Sequence, residues 1–194
     1  MKGSNPVTMV NNKYQKKIWT IPNILSLFRI SLIPVIIWMY VVKQNNVMTF
    51  FVLSFSGMTD IVDGFIARRF NMISEIGRVL DPVADKLTQT AMLVCLVIRY
   101  DYMLIPLLLL VFKEFCTAIT GYVSYKCTST VQGAHWHGKL STIMLYLMMA
   151  SHLIWFDIPK PVSVGLVGLC VVVMTISFIL YSIRNIRAIF NKSF

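Results

Sequence analysis

Hydrophobic residues occupy six long runs of the chain, and short polar stretches separate these runs. Each run approaches the roughly 20 residues that an α-helix needs to cross the apolar core of a bilayer. Because that core offers no water to backbone amides, such segments form helices. The pattern predicts an all-α, polytopic membrane protein with six transmembrane helices, at residues 21–42, 47–67, 79–98, 102–125, 140–156 and 162–183.

The first twenty residues are polar and rich in lysine, and they lack the apolar core of a signal peptide. Apolar residues recur there at helical spacing, from Val7 through Val10 and Tyr14 to Ile18. This spacing predicts a short helix that lies in the membrane interface. We therefore expect two parts: an N-terminal cytosolic or interfacial segment at 1–20, and a six-helix membrane domain at 21–194.

Composition agrees with a membrane protein: the 194 residues are 57% hydrophobic and only 13% charged, about half the charge of a soluble domain. The net charge of +10 is best explained by basic residues on the cytosolic side and by attraction to anionic lipid, so we expect no nucleic-acid partner. An even number of spans places both termini on one side. That side holds twelve basic residues, against three (Lys43, Arg99 and Lys160) on the other: Lys2, Lys13, Lys16, Lys17, Arg68, Arg69, Arg78, Lys126, Lys139, Arg184, Arg187 and Lys192.

Four aspartates interrupt the apolar pattern at the cytosolic ends of the second and third runs. On a helix, Asp60, Asp63, Gly64, Ala67 and Arg68 share one face. On the next helix, Gly77, Asp81 and Asp85 also share a face, and Pro82 is compatible with a first helical turn. Two antiparallel neighbours joined by a short loop would bring these acidic faces together. Buried carboxylates need positive charge beside them.

Three kinds of positive charge fit such a cluster. The aspartates could form an inert ion network with nearby basic residues (Arg68, Arg69, Arg78 and Lys86), or they could line a cation or proton path in a transporter. Alternatively, an all-oxygen cluster suits hard divalent cations, and magnesium above all where phosphates complete the coordination shell. Two such ions about 3.5–4 Å apart are the arrangement used for displacement at phosphorus.

The spacing Asp60-x2-Asp63-Gly64-x2-Ala67-Arg68-x8-Gly77-x3-Asp81-x3-Asp85 resembles the full signature of the CDP-alcohol phosphatidyltransferases at all eight fixed positions. The opening "TIPNILSLFRISLIP" is similar to the first helix of the phosphatidylglycerophosphate and cardiolipin synthase branch. The resemblance implies a membrane enzyme, which we expect in a bacterial cell membrane. It also implies a homodimer that takes CDP-diacylglycerol from membrane lipid and releases CMP. The excess of basic residues on one side predicts that both termini and the aspartates of the active site face the cytosol.

The resemblance also implies roles for individual residues. Two Mg²⁺ ions, with Mn²⁺ as an alternative, would be held by Asp60, Asp63, Asp81 and Asp85, and Asp85 would be the catalytic base. The nucleotide and diphosphate would be bound by Asn23, Gly64, Ala67, Arg68 and Gly77.

The acceptor alcohol is expected to bind residues of the fourth and fifth runs. "KEF" and "GKLST" resemble segments of phosphatidylglycerophosphate synthases, which makes Lys113, Glu114, Lys139 and Thr142 the candidates. Three positions depart from that branch. Lys113 stands in place of an arginine and lacks its fork of donors, Ser141 stands where a second lysine is common, and Gly121 occupies about the position of an additional arginine. Glycerol 3-phosphate is the expected acceptor, and phosphatidylglycerol, the acceptor of a CMP-forming cardiolipin synthase, is the alternative. A cation-coupled transporter is the non-enzymatic alternative.

The remaining candidate residues carry weaker signals. The four cysteines show no metal-ligand or redox spacing, so we expect small core residues. His135 and His137 lie in the "GAHWHG" loop at a spacing that does not place both on one helix face. The pattern leaves their role open.

Overall fold

A computed structural model describes residues 20–69, 77–128 and 136–190. Within these ranges several residues are described by their backbone alone, among them Asp63, Gly64, Ala67, Arg68 and Arg78. The predicted interfacial helix, whose apolar spacing extends from Val7 to Ile18, also lies outside the description, as do His135 and the His137 side chain. The described residues form helices and no strand, which confirms the all-α class. The helices are α1 (Ile21–Ile37), α2 (Asn46–Arg69), α3 (Gly77–Arg99), α4 (Leu104–Thr128), α5 (Trp136–Ile154) and α6 (Lys160–Phe190).

Each helix corresponds to one of the six predicted runs, but not every run is confirmed as a membrane span. Three described stretches are long and apolar enough to cross a bilayer, namely Asn23–Val42, Asp101–Gly121 and Lys160–Arg187, and Gly138–Ile154 is a shorter apolar helix. Large apolar side chains are exposed along all six helices, as expected of surfaces that face lipid. The protein is an integral membrane protein, and membrane crossing by α2, α3 and α5 stays a prediction.

The turn between α1 and α2 is defined by local polar contacts. After Ile37 the helix continues as a π-helical turn, Trp38–Val42. The ammonium group of Lys43, the next residue, lies 5.0 Å from the centre of the Trp38 ring. Gln44 then adopts φ = 50°, the left-handed region in which a Cβ is crowded. Asn45 begins α2 as an N-cap, because its side-chain oxygen accepts a hydrogen bond from the Met48 amide at 3.0 Å.

The start of α3 corrects one expectation. The helix begins at Gly77, so Pro82 lies inside it rather than in its first turn. A proline there removes the backbone hydrogen bond to the carbonyl four residues earlier. The apolar pattern begins at Val79 and therefore missed the polar residues that start the helix.

The chain divides into two compact units, Met1–Ala91 and Met92–Phe194, and α3 passes from the first to the second. In the described part of the first unit, α1 packs along α2, and the Phe28 and Phe55 rings meet edge to face with centroids 6.3 Å apart. Its interior includes Ile36 and Leu53, but it also buries several polar side chains: Ser26, Arg29, Thr49, Ser56, Thr88 and Gln89.

In the second unit, α4 and α5 both pack on α6. Methionine and leucine fill the space between these helices, together with the thiol of Cys170, and all of these side chains are buried: Leu110, Leu145, Met148, Met149, Leu153, Cys170 and Met174. Cys95 of α3 is buried too, and it and Cys170 are unbridged. The prediction of small core cysteines is confirmed for these two residues.

A buried hydrogen-bonded chain joins α5, α6 and the turn before α4. His152 Nδ1 lies 2.7 Å from the Met148 carbonyl oxygen, so Nδ1 donates and Nε2 of the neutral ring accepts. The Ser163 hydroxyl, 2.6 Å from Nε2, therefore donates to the histidine and accepts from the Tyr102 hydroxyl at 2.6 Å. The chain has one direction and satisfies each of the three side chains.

The left-handed backbone at Gln44 gives a direct stability prediction. Gln44→Gly removes the Cβ that crowds this conformation and is expected to raise the free energy of unfolding by about 0.5–1 kcal/mol, after the entropic disadvantage of glycine. The measurement is the midpoint of thermal unfolding in detergent. Gln44→Ala is the control, because it removes the side chain but keeps the Cβ. An equal rise in both variants would contradict the backbone explanation.

Candidate active site

The eight-position motif lies on two helices of the first unit. The helix α2 extends through residues 60–68, and α3 begins at Gly77 and carries Asp81 and Asp85 one turn apart. Gly77 is buried at the start of α3. For Asp63, Gly64, Ala67 and Arg68 the structure gives the helical backbone only. The ligand and nucleotide roles of these four residues stay predictions.

The first motif aspartate forms an ion pair with α1. Arg29 Nη1 lies 2.6 Å from Asp60 Oδ1. The Arg29 side chain is only 2% exposed, whereas that of Asp60 is 44% exposed. The guanidinium therefore forms the buried side of the pair, and the carboxylate retains access to its surroundings.

Two further aspartates are held by neutral donors. The Ser26 hydroxyl, fully buried and one turn before Arg29 on α1, donates a short hydrogen bond to Asp81 Oδ1. The Gln89 side-chain amide donates to Asp85 Oδ2 at 2.8 Å. Asn23, the predicted nucleotide-binding residue, is buried one turn before Ser26. One face of α1 thus carries Asn23, Ser26 and Arg29, and two of these bind motif aspartates.

The donors present suit a hard divalent cation, because Asp60, Asp81 and Asp85 offer only carboxylate oxygens and each is partly accessible. The neutral donors of Asp81 and Asp85, Ser26 and Gln89, are typical partners of carboxylates that are oriented for metal binding. Among the described side chains, no three histidines, cysteines or acids lie close enough together to form a metal site. The predicted four-aspartate set includes Asp63, whose side chain is outside the description, so the assignment of the metals stays a prediction.

The second unit contains a buried cation. Lys113 of α4 is 5% exposed, and its Nζ lies 3.3 Å from Glu114 Oε1 and 3.3 Å from the Ser141 hydroxyl of α5. Lys113 and Glu114, both predicted from the sequence, are therefore brought together as an ion pair. Ser141 is buried beside Lys113 and accepts a hydrogen bond from it, whereas the Glu114 side chain is partly exposed.

The other predicted acceptor residues are placed differently. Lys139 is exposed at the start of α5, and Thr142 donates its hydroxyl hydrogen to the Gly138 carbonyl at 3.2 Å. Glycine at position 138 leaves space for a neighbouring ring. A Cβ there would lie 2.6 Å from the Tyr181 hydroxyl oxygen and 2.9 Å from Cε2 of the same ring. The Arg184 guanidinium lies 4.9 Å from the centre of the Tyr181 ring. The described hydrogen bond of Thr142 thus stays within its own helix.

Several residues that organise these groups were missed by the sequence analysis. Ser26 binds Asp81, Arg29 binds Asp60, and Gln89 binds Asp85. A signal existed for each: Asn23, Ser26 and Arg29 recur every three residues along an apolar run, and an arginine in a membrane helix is itself a candidate for function. Gln89 follows Asp85 at the i, i+4 spacing that places both side chains on one helix face.

Comparison with known sequences identifies the class. A sequence model of the CDP-alcohol phosphatidyltransferase family matches residues 19–183. This range covers most of the chain and includes the motif on α2 and α3, the α1 residues that bind its aspartates, and Lys113. The protein belongs to the CDP-alcohol phosphatidyltransferase family.

Individual relatives fall in two groups by name. A CDP-diacylglycerol–glycerol-3-phosphate 3-phosphatidyltransferase of Rickettsia bellii is 37% identical over 49% of this chain and 54% of its own length. The human CMP-forming cardiolipin synthase is 36% identical over 58% of this chain and 38% of its own length. A cardiolipin synthase and mitochondrial hydrolase fusion protein of Schizosaccharomyces pombe is 34% identical over 63% of this chain and 22% of its own length. The chain thus matches about half or less of the length of these relatives.

The close contact at Gly138 predicts an asymmetry between glycines. Gly138→Ala is expected to lower the free energy of unfolding by about 1–3 kcal/mol, because the new methyl group overlaps the Tyr181 ring. Gly168→Ala in α6 is the matched control, since a Cβ there meets nothing within 4 Å and alanine favours the helix by about 1 kcal/mol. Thermal unfolding of both variants in detergent measures the difference. Equal stabilities would contradict the packing described for Tyr181.

Proposed function

We propose that the protein transfers the phosphatidyl group of CDP-diacylglycerol to glycerol 3-phosphate, giving phosphatidylglycerophosphate and CMP. The observation that carries this proposal is the complete eight-position motif on α2 and α3 in a chain of the CDP-alcohol phosphatidyltransferase family. The contacts of Asp60 and Asp81 with α1 support it, because they hold motif carboxylates in fixed positions. An ion-coupled transporter would not require glycines and an alanine at fixed offsets from the aspartates.

In the proposed reaction, the acceptor hydroxyl oxygen forms a bond to the phosphatidyl phosphorus, and the bond from that phosphorus to the bridging oxygen of CMP breaks. Asp85 takes the proton of the hydroxyl, and Gln89 orients its carboxylate through Oδ2. Bound Mg²⁺ would neutralise the diphosphate and the negative charge that develops on CMP. Asp60, Asp63 and Asp81 would hold the metal ions, and Asn23, Gly64, Ala67, Arg68 and Gly77 would bind the nucleotide and diphosphate.

The residues of the second unit support an anionic acceptor. Lys113 is buried and charged, and a cation in that position favours a phosphate group. Lys139 and Thr142, at the start of α5, are the other proposed acceptor residues. Both termini and the site are proposed to face the cytosol of a bacterial cell, where soluble glycerol 3-phosphate is available. The homodimer implied by the resemblance stays a prediction.

A second acceptor is favoured by one specific contact. The Lys113 ammonium already has a carboxylate partner, Glu114, at 3.3 Å, and it also donates a hydrogen bond to the neutral Ser141 hydroxyl. A cation that is partly neutralised in this way suits a singly charged phosphodiester better than a phosphate dianion. Phosphatidylglycerol carries such a phosphodiester, and the second candidate is therefore a CMP-forming cardiolipin synthase.

The first test substitutes the proposed base. Asp85→Asn keeps the size of the side chain and its hydrogen-bonding potential toward Gln89, but it cannot accept the hydroxyl proton. The expected result is a loss of turnover by a factor of about 100 to 10,000, with unchanged thermal unfolding. The measurement is release of CMP from CDP-diacylglycerol by the purified full chain with Mg²⁺. Asp157→Asn, an exposed aspartate outside the motif, is the control, and full activity of Asp85→Asn would disprove the base assignment.

The second test identifies the acceptor. Lys113→Met is expected to raise KM for glycerol 3-phosphate about tenfold or more and to leave KM for CDP-diacylglycerol unchanged, because a charged hydrogen bond to phosphate is lost. Lipid product is measured with glycerol 3-phosphate and, separately, with phosphatidylglycerol. Lys160→Met, an exposed lysine at the start of α6, is the matched control. Product formed only with phosphatidylglycerol would replace the first candidate by the second.

A further inference from the structure

The Arg29–Asp60 pair combines a buried cation with an accessible acid. The guanidinium is enclosed at 2% exposure, and its nitrogen lies 2.6 Å from an oxygen of a carboxylate that is 44% exposed. Burial of a guanidinium in an apolar helix bundle is costly unless a counter-charge lies beside it. Asp60 provides that counter-charge. The same carboxylate is the first acid of the motif, so one group serves two kinds of cation.

Two cations at one carboxylate repel each other. Coulomb repulsion between a guanidinium and a divalent ion a few ångströms apart is substantial even at the effective dielectric constant of a partly wet protein site. Arg29 is therefore expected to stabilise the acidic site when it is free of metal and to oppose metal binding. Ser26 differs in kind, because its hydroxyl orients Asp81 without adding charge.

We propose that Arg29 is a built-in counter-charge of the acidic site, which holds Asp60 in the absence of metal and lowers the affinity of the site for divalent cations. This inference rests on the proposed function, since it assumes that Asp60 is a metal ligand. It gives Arg29 a role distinct from that of a residue that orients a ligand. Loss of an orienting residue weakens metal binding, whereas loss of a competing charge strengthens it.

The experiment measures metal binding and metal-free stability separately. Binding of Mn²⁺ to the purified full chain in detergent is followed by electron paramagnetic resonance of the free ion, and thermal unfolding is followed in the presence of a chelator. Arg29→Met is expected to tighten Mn²⁺ binding about tenfold or more and to lower the midpoint of metal-free unfolding. Arg29→Gln removes the same charge and gives the same test if the methionine variant does not fold.

Two controls separate charge from packing. Arg29→Lys keeps the positive charge and is expected to bind Mn²⁺ within about threefold of the unmodified protein, although it loses the fork of the guanidinium. Ser26→Ala removes a neutral donor. It is expected to lower the midpoint of metal-free unfolding without tightening Mn²⁺ binding. Neither control alters the net charge of the site.

The outcomes distinguish the inference from the proposed function. Unchanged or weaker Mn²⁺ binding in the uncharged Arg29 variants would overturn the inference and would leave the proposed transfer reaction standing, provided that Asp81→Asn abolishes Mn²⁺ binding. Absence of Mn²⁺ binding in the unmodified chain, together with CMP release that does not depend on divalent cations, would overturn both. Tighter binding with lower metal-free stability supports both.

Discussion

Carboxylates within apolar helices must be compensated by positive charge or by hydrogen-bond donors, and this requirement organises the first unit. The α1 helix is largely apolar, yet one face buries Asn23, Ser26 and Arg29, and the serine and the arginine bind the first motif aspartates of α3 and α2. Packing of α1 on α2 therefore serves electrostatic needs as well as hydrophobic burial. The motif is complete in the sequence, but it is held in place by a helix that the motif does not include.

The same requirement is met differently in the second unit. Lys113 is partly compensated by the adjacent Glu114 of its own helix, and it donates a hydrogen bond to Ser141 of α5. Farther along α6, the Asn185 side chain donates to the Thr120 hydroxyl at 2.9 Å. Polar contacts thus join α4 to α5 and to α6 in this unit. Apolar packing alone would not fix the position of one helix along another.

The sequence predicted the helices well, because apolar runs of sufficient length leave the backbone few other choices. It was less accurate at polar helix ends: α3 begins before its apolar run, and α6 continues beyond residue 183 through Asn185 and Arg187. The motif residues were identified by their spacing together with its resemblance to a family signature. The contacts of Ser26, Arg29 and Ser141 were not, because they depend on how separate helices rotate and pack, and no local pattern contains that information.

The contact between Gly138 and Tyr181 has a consequence for variation within the family. The two positions are 43 residues apart in sequence, yet the Tyr181 ring fills the space that a Cβ of residue 138 would occupy. In this packing a side chain at 138 requires the Tyr181 ring to move, so a substitution at 138 is expected to be better tolerated with a smaller residue at 181. The Arg184 guanidinium lies over the same ring, so replacement of Tyr181 by a smaller residue would also remove this cation–π contact.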